Sequence, residues 1–297
     1  MAQSLTRNCL IITFARHAHL ERIITEAKVR CDNIYIYQNQ SSPEFENDCD
    51  KVRRIIESHQ AENVITFTPP AHLPSAQSII YAITHFFSKV PHGTILEDDC
   101  LPSHQLWDAL DIFDSTNCDA SEFVMNGFTP VGHTDSVCLI AKQPYLHVWG
   151  WSSNSTTWNN FITQYSQPLC ATSTIIQQKL GLKATLYWIL IFNMVKTNKI
   201  KSWDYHFLYY LWSNRVPIFG VSANLVQNMG ADEFSQFMVK DKANVKLNKV
   251  ANTIQSFKVE MTDAVKSPKQ TNQQHYQICW WRILILFMIN VKSIIIK

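Results

Sequence analysis

Between Cys9 and Leu96, short apolar runs alternate with amphipathic stretches, and this alternation leaves few architectures open. Cys9-Leu10-Ile11-Ile12-Thr13-Phe14 reads as a buried strand. Leu20, Ile23, Ile24 and Ala27 then mark one face of a helix at i, i+3, i+4 and i+7. Asn33 to Tyr37 is a second strand, ending at Gln38-Asn39, and Asp48 is placed to cap a helix carrying Val52, Ile55 and Ile56. Asn63 to Phe67 is a third strand. After the loop Thr68 to Pro74, Ser75 opens a helix striped with Ile79, Ile83, Phe86, Phe87 and Val90. Thr94 to Leu96 is a fourth strand. Strands and helices in this rhythm predict an α/β fold with a mostly parallel central sheet flanked by helices.

The fourth strand runs straight into Glu97-Asp98-Asp99, followed by Cys100-Leu101-Pro102-Ser103. Adjacent carboxylates at the end of a buried strand repel one another and are costly to desolvate. A divalent cation such as Mn²⁺ or Mg²⁺ removes that cost, because carboxylate oxygens suit it. Open α/β sheets also bind ligands at the carboxyl ends of their strands. A solvated acidic loop is the plainer alternative. Ser103 is suited to cap a helix carrying Leu106, Leu110 and Phe113. Arg16, just past the first strand, stands where an anion would meet a helix N-terminus, or is simply a surface arginine.

Past the acids, Glu122 to Asn126 and Val137 to Ile140 read as strands. The segment His147-Val148-Trp149-Gly150-Trp151-Ser152-Ser153 follows, with Thr156-Thr157-Trp158 behind it. Tryptophan faces stack on sugars, but such rings also pack cores. Ala184 to Val195 is apolar yet shorter than the ~20 residues that cross a bilayer, so it reads as a buried helix. Ser202-Trp203-Asp204-Tyr205-His206 opens another helix, with Leu208, Leu211 and Trp212 on one face. Asp204 lies in its first turn, where burial raises a carboxyl pKa and the helix N-terminus lowers it. Capping and proton transfer are both open to it. Ile218 to Val221 is a further strand leading to Asn224-Leu225-Val226-Gln227-Asn228-Met229-Gly230.

Taken together, Glu97 to Ser103, Trp149-Gly150-Trp151 with Thr157-Trp158, Trp203-Asp204-Tyr205 and Asn224 to Gly230 resemble the GT-A glycosyltransferases. More narrowly they are similar to the bacterial hemolytic-protein-like nucleotide-diphospho-sugar transferases, over about Cys9 to Phe237. The resemblance implies a nucleotide-sugar-binding half over 1–121 and an acceptor-binding, catalytic half over 122–240. Residues 241–297 form a polar segment and a short hydrophobic tail outside it. It further implies Asp99 as ligand of Mn²⁺ or Mg²⁺, with Arg16, Asn39, Glu97 and Asp98 on the nucleotide sugar. Trp149, Gly150 and Trp151 would face the acceptor, and Asp204 would be the base of an inverting transfer to a hydroxyl of a carbohydrate or other acceptor. The chain departs from the family in three places. Asn39 replaces a usual aspartate, Pro74 a usual glycine, and Ser235-Gln236-Phe237 stands where a histidine is common. The first two leave the nucleotide base open, and the third implies a metal shell of Asp99 and waters or a reduced activity.

Other classes are disfavoured by composition and motif. The formal charge of +2 and the lack of a basic run interleaved with aromatics argue against a nucleic-acid partner. Neither GxGxxG nor GxxxxGK[ST] occurs. The 8 cysteines are scattered without a CxxC pair, which fits reduced thiols in a cytoplasmic protein. Lys240 to Gln274 is polar and reads as a loose tail. Ile278 to Lys292 is apolar after Arg282, which suits a peripheral membrane or partner contact, or a terminal helix packed on the body. Two rivals stand beside a transferase: a catalytically silent sugar-nucleotide binder, and a metal-dependent phosphohydrolase built on the acids alone.

Overall fold

The structure, a computed structural model, describes residues 6–117, 121–129, 136–167, 169, 171–178, 180–230, 254–260, 278 and 280–295. Ser235, Gln236 and Phe237 lie outside the described residues. The first half alternates as its pattern predicts: β1 (Asn8–Thr13), α1 (Leu20–Arg30), β2 (Asn33–Gln38), α2 (Glu46–Ser58), β3 (Val64–Phe67), α3 (Ser75–Phe87) and β4 (His92–Glu97). β4, β1, β2 and β3 lie side by side in that order, all parallel. The chain therefore leaves β1 toward β2 and β3, then returns to pair β4 on the other edge of β1. Such a reversal opens a crevice at the carboxyl ends of β1 and β4.

The second half extends the same sheet. After β5 (Cys100–Pro102) and α4 (His104–Asn117) come β6 (Val124–Asn126), β7 (Val137–Lys142), β8 (Trp151–Asn154) and α5 (Ser155–Gln164). Then follow α6 (Ala171–Gln177), α7 (Leu182–Lys196), α8 (Trp203–Ser213), β9 (Ile218–Val221), β10 (Val226–Asn228), β11 (Ser256–Glu260) and α9 (Trp280–Ile295). β8 pairs antiparallel with β4, so the sheet runs unbroken from β3 to β11 across the residue 121–122 boundary. It is a mixed α/β architecture, with a mostly parallel sheet covered by helices.

Strand alternation divides the core between the two sheet faces. Leu10, Ile12, Tyr35 and Ile95 face α3, α5, α7 and α8, while Cys9, Ile11, Ile36 and Leu96 face α1, α2 and α4. Gly93 has no room for a side chain, since a Cβ there would come within 2.4 Å of the Phe86 ring.

Several local expectations are corrected. Asp48 does not cap α2: the helix starts two residues earlier, and Asp48 pairs with Lys51 at 2.8 Å within it. The Ser103 hydroxyl donates to the Leu225 carbonyl at 2.9 Å, tying the turn before α4 to the segment before β10. The polar stretch after Lys240 contains β11, which pairs parallel with β7 from Ser256 to Glu260. β8 was not legible as a strand, because its Trp-Ser-Ser-Asn sequence lacks the branched residues that mark one.

Candidate active site

At the crevice, the end of β1 and the end of β4 meet through charge. The Arg16 guanidinium donates from Nη1 to Asp98 at 3.1 Å and to Asp99 at 2.6 Å. The Phe14 backbone N–H donates to the other oxygen of Asp98 at 3.2 Å. Both aspartates are nearly closed off, with 7% and 8% of their surface exposed. The acidic triplet is thus a buried cluster, and the solvated-loop alternative is set aside.

A second strand pair fixes Asp99. β5 pairs antiparallel with β10, bringing Asn228 opposite Cys100. Met229 N–H then donates to the Asp99 carbonyl at 2.7 Å, and Gly230 N–H to the Asn228 side chain at 2.9 Å. A Cβ on Gly230 would lie 2.1 Å from Oδ2 of Asp99, so only glycine lets this backbone close over the carboxylate. The Cys100 thiol donates to Oδ1 at 3.3 Å. The Asn224–Gly230 stretch therefore supplies the back wall of the acid site.

The carboxylates crowd one another in a place shielded from water. Burial and the charges of Asp99 and Asp98 hold Glu97 well above the ordinary carboxylate range, with Arg16 opposing and Asp204 adding to the rise. Asp98 is raised by burial and by Asp99, against Arg16 and the Phe14 N–H. The involvement of Asp204 places the start of α8 in the same electrostatic neighbourhood as the end of β4. Packing explains how. Glu97 is two residues beyond Ile95, on the sheet face that carries α8. Ile95 is in register with Trp151, whose ring lies 6.1 Å from that of Trp203 at the first turn of α8.

Asp204 itself accepts from the Ser202 hydroxyl. Removal from bulk water raises its pKa, while the Ser202 hydroxyl and the first-turn backbone N–H groups restrain the rise. The direction that sequence left open is upward. Capping by Ser202 does not compete, since its side chain makes no bond to the helix backbone.

Asn39 stands at the end of β2 with both ends of its amide engaged on one residue. Its Nδ2 donates to the Leu73 carbonyl at 2.8 Å and its Oδ1 accepts from Leu73 N–H at 3.1 Å. Gln40 holds the same loop through the Pro69 carbonyl at 2.9 Å. Asn39 thus fixes the loop beside the crevice. Phe14 is flanked by the rings of Phe45 at 5.4 Å and His72 at 5.5 Å, an aromatic wall that sequence reasoning missed. Its members are scattered over three loops, and no local pattern joins them.

The Trp-Gly-Trp segment divides. Gly150 has a φ of +68°, and a Cβ there would meet Val226 at 2.6 Å. This left-handed turn breaks the strand alternation. Trp149, half-buried, packs edge-on against Phe128 on one side of the sheet, and Trp151 joins the opposite core. Trp151 is only 1% exposed and walled in by Trp158, Trp203 and Phe207. It presents no face to an acceptor, and that expectation is corrected. A separate cavity of about 170 Å³ lies along α8 between Phe161, Tyr165, His206 and Tyr210.

The divalent cation implied by the resemblance fits the donor chemistry here. Mg²⁺ is commonly held by one or two carboxylates with substrate phosphates completing its shell, and this site offers two adjacent buried aspartates. Among the described residues no group of three His, Cys, Asp or Glu side chains converges.

No family model and no curated protein sequence matches the chain. Among solved structures, a cytidylyltransferase from Leptospira borgpetersenii serovar Hardjo-bovis (strain JB197) is similar with a TM-score of 0.37 at 12% identity. That match covers 53% of this chain and 64% of the other, so this chain spans less than two thirds of its length. A protein described as a glucose-1-phosphate thymidylyltransferase from Bacillus anthracis, solved with sucrose, gives a TM-score of 0.34 at 11% identity, over 62% and 83% of the chains. A UDP-glucose pyrophosphorylase complexed with UDP-glucose gives 0.37 at 10%, over 73% and 90%. Scores of this size describe partial overlap of strands and helices and fix no activity.

Proposed function

We propose that the protein is a GT-A-type, metal-dependent glycosyltransferase that moves a sugar from a nucleoside-diphosphate donor to a hydroxyl acceptor with inversion. The observation that carries this reading is the meeting of Arg16, Asp98 and Asp99 at the sheet's point of reversal, with Asp204 acting electrostatically on Glu97. In this reading Arg16 faces the donor's diphosphate and opposes charge growing on the leaving group, where fixed electrostatics help most. Glu97 and Asp98 hold hydroxyls of the ribose or sugar. A protonated Glu97, favoured by its burial, donates a hydrogen bond where an ionised one would only accept. The loop pinned by Asn39, with Phe14 and His72, borders the base. Asp204 accepts the proton of the acceptor hydroxyl, and its raised pKa makes it a stronger base than an exposed aspartate. Trp149 borders the acceptor. A divalent ion on Asp99, when bound, adds positive charge at the diphosphate.

A second reading has one observation in its favour. Arg16 already sits on both aspartates, which suits a protein that binds a sugar nucleotide and does not turn it over. A panel of nucleotide sugars with Mn²⁺ or Mg²⁺ separates the two. The transferase releases nucleoside diphosphate from one donor, slowly to water and faster with an acceptor hydroxyl. A silent binder shows metal-dependent affinity without release, and hydrolysis of simple phosphate esters would point instead to a phosphohydrolase.

A further inference from the structure

At the far edge of the molecule, α9 packs on α7 through Ile283 and Leu286 and leaves the rest of its apolar surface outside. Of the two expectations for this tail, the structure shows a helix packed on the body, and that helix carries an exposed apolar face. Trp281 is 68% exposed, Phe287 54% and Trp280 52%, with Leu284 and Met288 beside them. An apolar strip of this kind is uncommon on a monomer without a partner.

The charge around the strip says which partner. From Ser136 to Trp203, and again from Ala264 to Lys297, the sequence contains no aspartate or glutamate, although the whole chain carries 24 acids against 26 lysines and arginines. The first stretch builds α7 and the second builds α9, so packing one on the other makes a face with cations and no acid of its own. Lys183 lies over the Trp280 ring at 5.5 Å, and Arg282 over Tyr187 at 5.6 Å. Lys199 reaches the Ile289 carbonyl at 2.9 Å. Lys196, the last residue of α7, and Lys201 beyond it are exposed. Exposed tryptophans rimmed by lysines match the headgroup layer of an anionic bilayer. The core of an interface between protein copies is instead depleted in lysine. No helix among the described residues is long and apolar enough to cross a membrane, and the 16 residues of α9 reach about 24 Å against a hydrocarbon core of about 30 Å.

We infer that the α7–α9 face docks on an anionic lipid surface, with α9 lying in the plane of the headgroups. The test of this inference needs no turnover. The full chain is floated with vesicles of phosphatidylcholine alone and of phosphatidylcholine with phosphatidylglycerol. Binding to the anionic vesicles, weakened by salt and absent from the neutral ones, is the expected result. Trp281→Glu with Phe287→Glu lowers the bound fraction at least tenfold. Lys196→Gln with Lys201→Gln lowers affinity about fivefold for each charge removed. These side chains are exposed, and circular dichroism confirms that the variants keep their fold. The inference is overturned by failure to float with anionic vesicles or by variants that float like the parent. A dimer in light scattering that dissociates in Trp281→Glu also overturns it, because a second copy would then cover the face.

Discussion

The carboxyl ends of β1 and β4 and the aromatic block between β8, α5, α7 and α8 were equally conspicuous in the sequence, and the molecule uses them in opposite ways. At the strand ends, Glu97, Asp98 and Asp99 crowd together, and burial with mutual repulsion raises the pKa values of Glu97 and Asp98. In the block, Trp151, Trp158, Trp203 and Phe207 are buried against one another. Like charge crowded in a closed place costs free energy that folding alone does not reward, so it points to a ligand. Clustered rings are rewarded by folding itself, so they point to nothing further. Oddness in a sequence marks a site only when the structure leaves it unresolved.

Substitutions can break this contrast. The largest effect falls at Asp99, where Asp99→Asn keeps the shape and removes the charge; nucleoside diphosphate release should drop about 10²–10³-fold or more while the melting temperature holds or rises. A melting temperature that collapses along with activity would make the acid cluster structural after all. Trp151→Ala should behave in the reverse way, costing about 3–5 kcal/mol of stability in denaturant unfolding. Trp151→Phe should leave the KM for acceptor unchanged, and a selective rise in that KM would return the ring to the acceptor site.

A finer division comes from Gly230→Ala, whose methyl group must displace the Asp99 carboxylate. Turnover should fall about 10–100-fold with a small loss of stability, since misplacing a reacting group by about 1 Å is enough. The smallest effect is at Asp114 on α4, a half-buried carboxyl outside both regions. Burial and Asp111 push its pKa up to about 6, with Arg7 opposing. The folded state therefore holds a proton that the unfolded chain gives up near its ordinary pKa of about 4, so this contribution to stability is full below that pH and is lost as pH rises through about 6. Asp114→Asn should raise the melting temperature at about pH 8 and leave it little changed at about pH 4. A gain at the lower pH would refute that account.

The parallel half was legible because its strands and helices are regular and each buries one face: Leu20, Ile23, Ile24 and Ala27 all reach the core as their spacing predicts. The second half was less so. β8 and β10 are short and polar, and their pairing with β4 and β5 depends on Gly127 and Gly150 letting backbones approach. Such long-range contacts leave no periodic trace. Within the site, Arg16, Asp98 and Asp99 were visible as charge at strand ends. The engagement of Asn39 with Leu73, the wall of Phe14, Phe45 and His72, and the burial of Trp151 were not. Each is decided by what lies opposite, which no spacing records.

The central claim is that one site holds the donor against the acids and presents Asp204 to the acceptor. It is tested most directly by Asp204→Asn, measured for donor affinity by calorimetry and for single-turnover transfer with the preferred nucleotide sugar and metal. The account predicts donor binding equal to the parent's and transfer reduced about 10²–10⁴-fold. Transfer at the parent rate would contradict it and remove Asp204 from the chemistry.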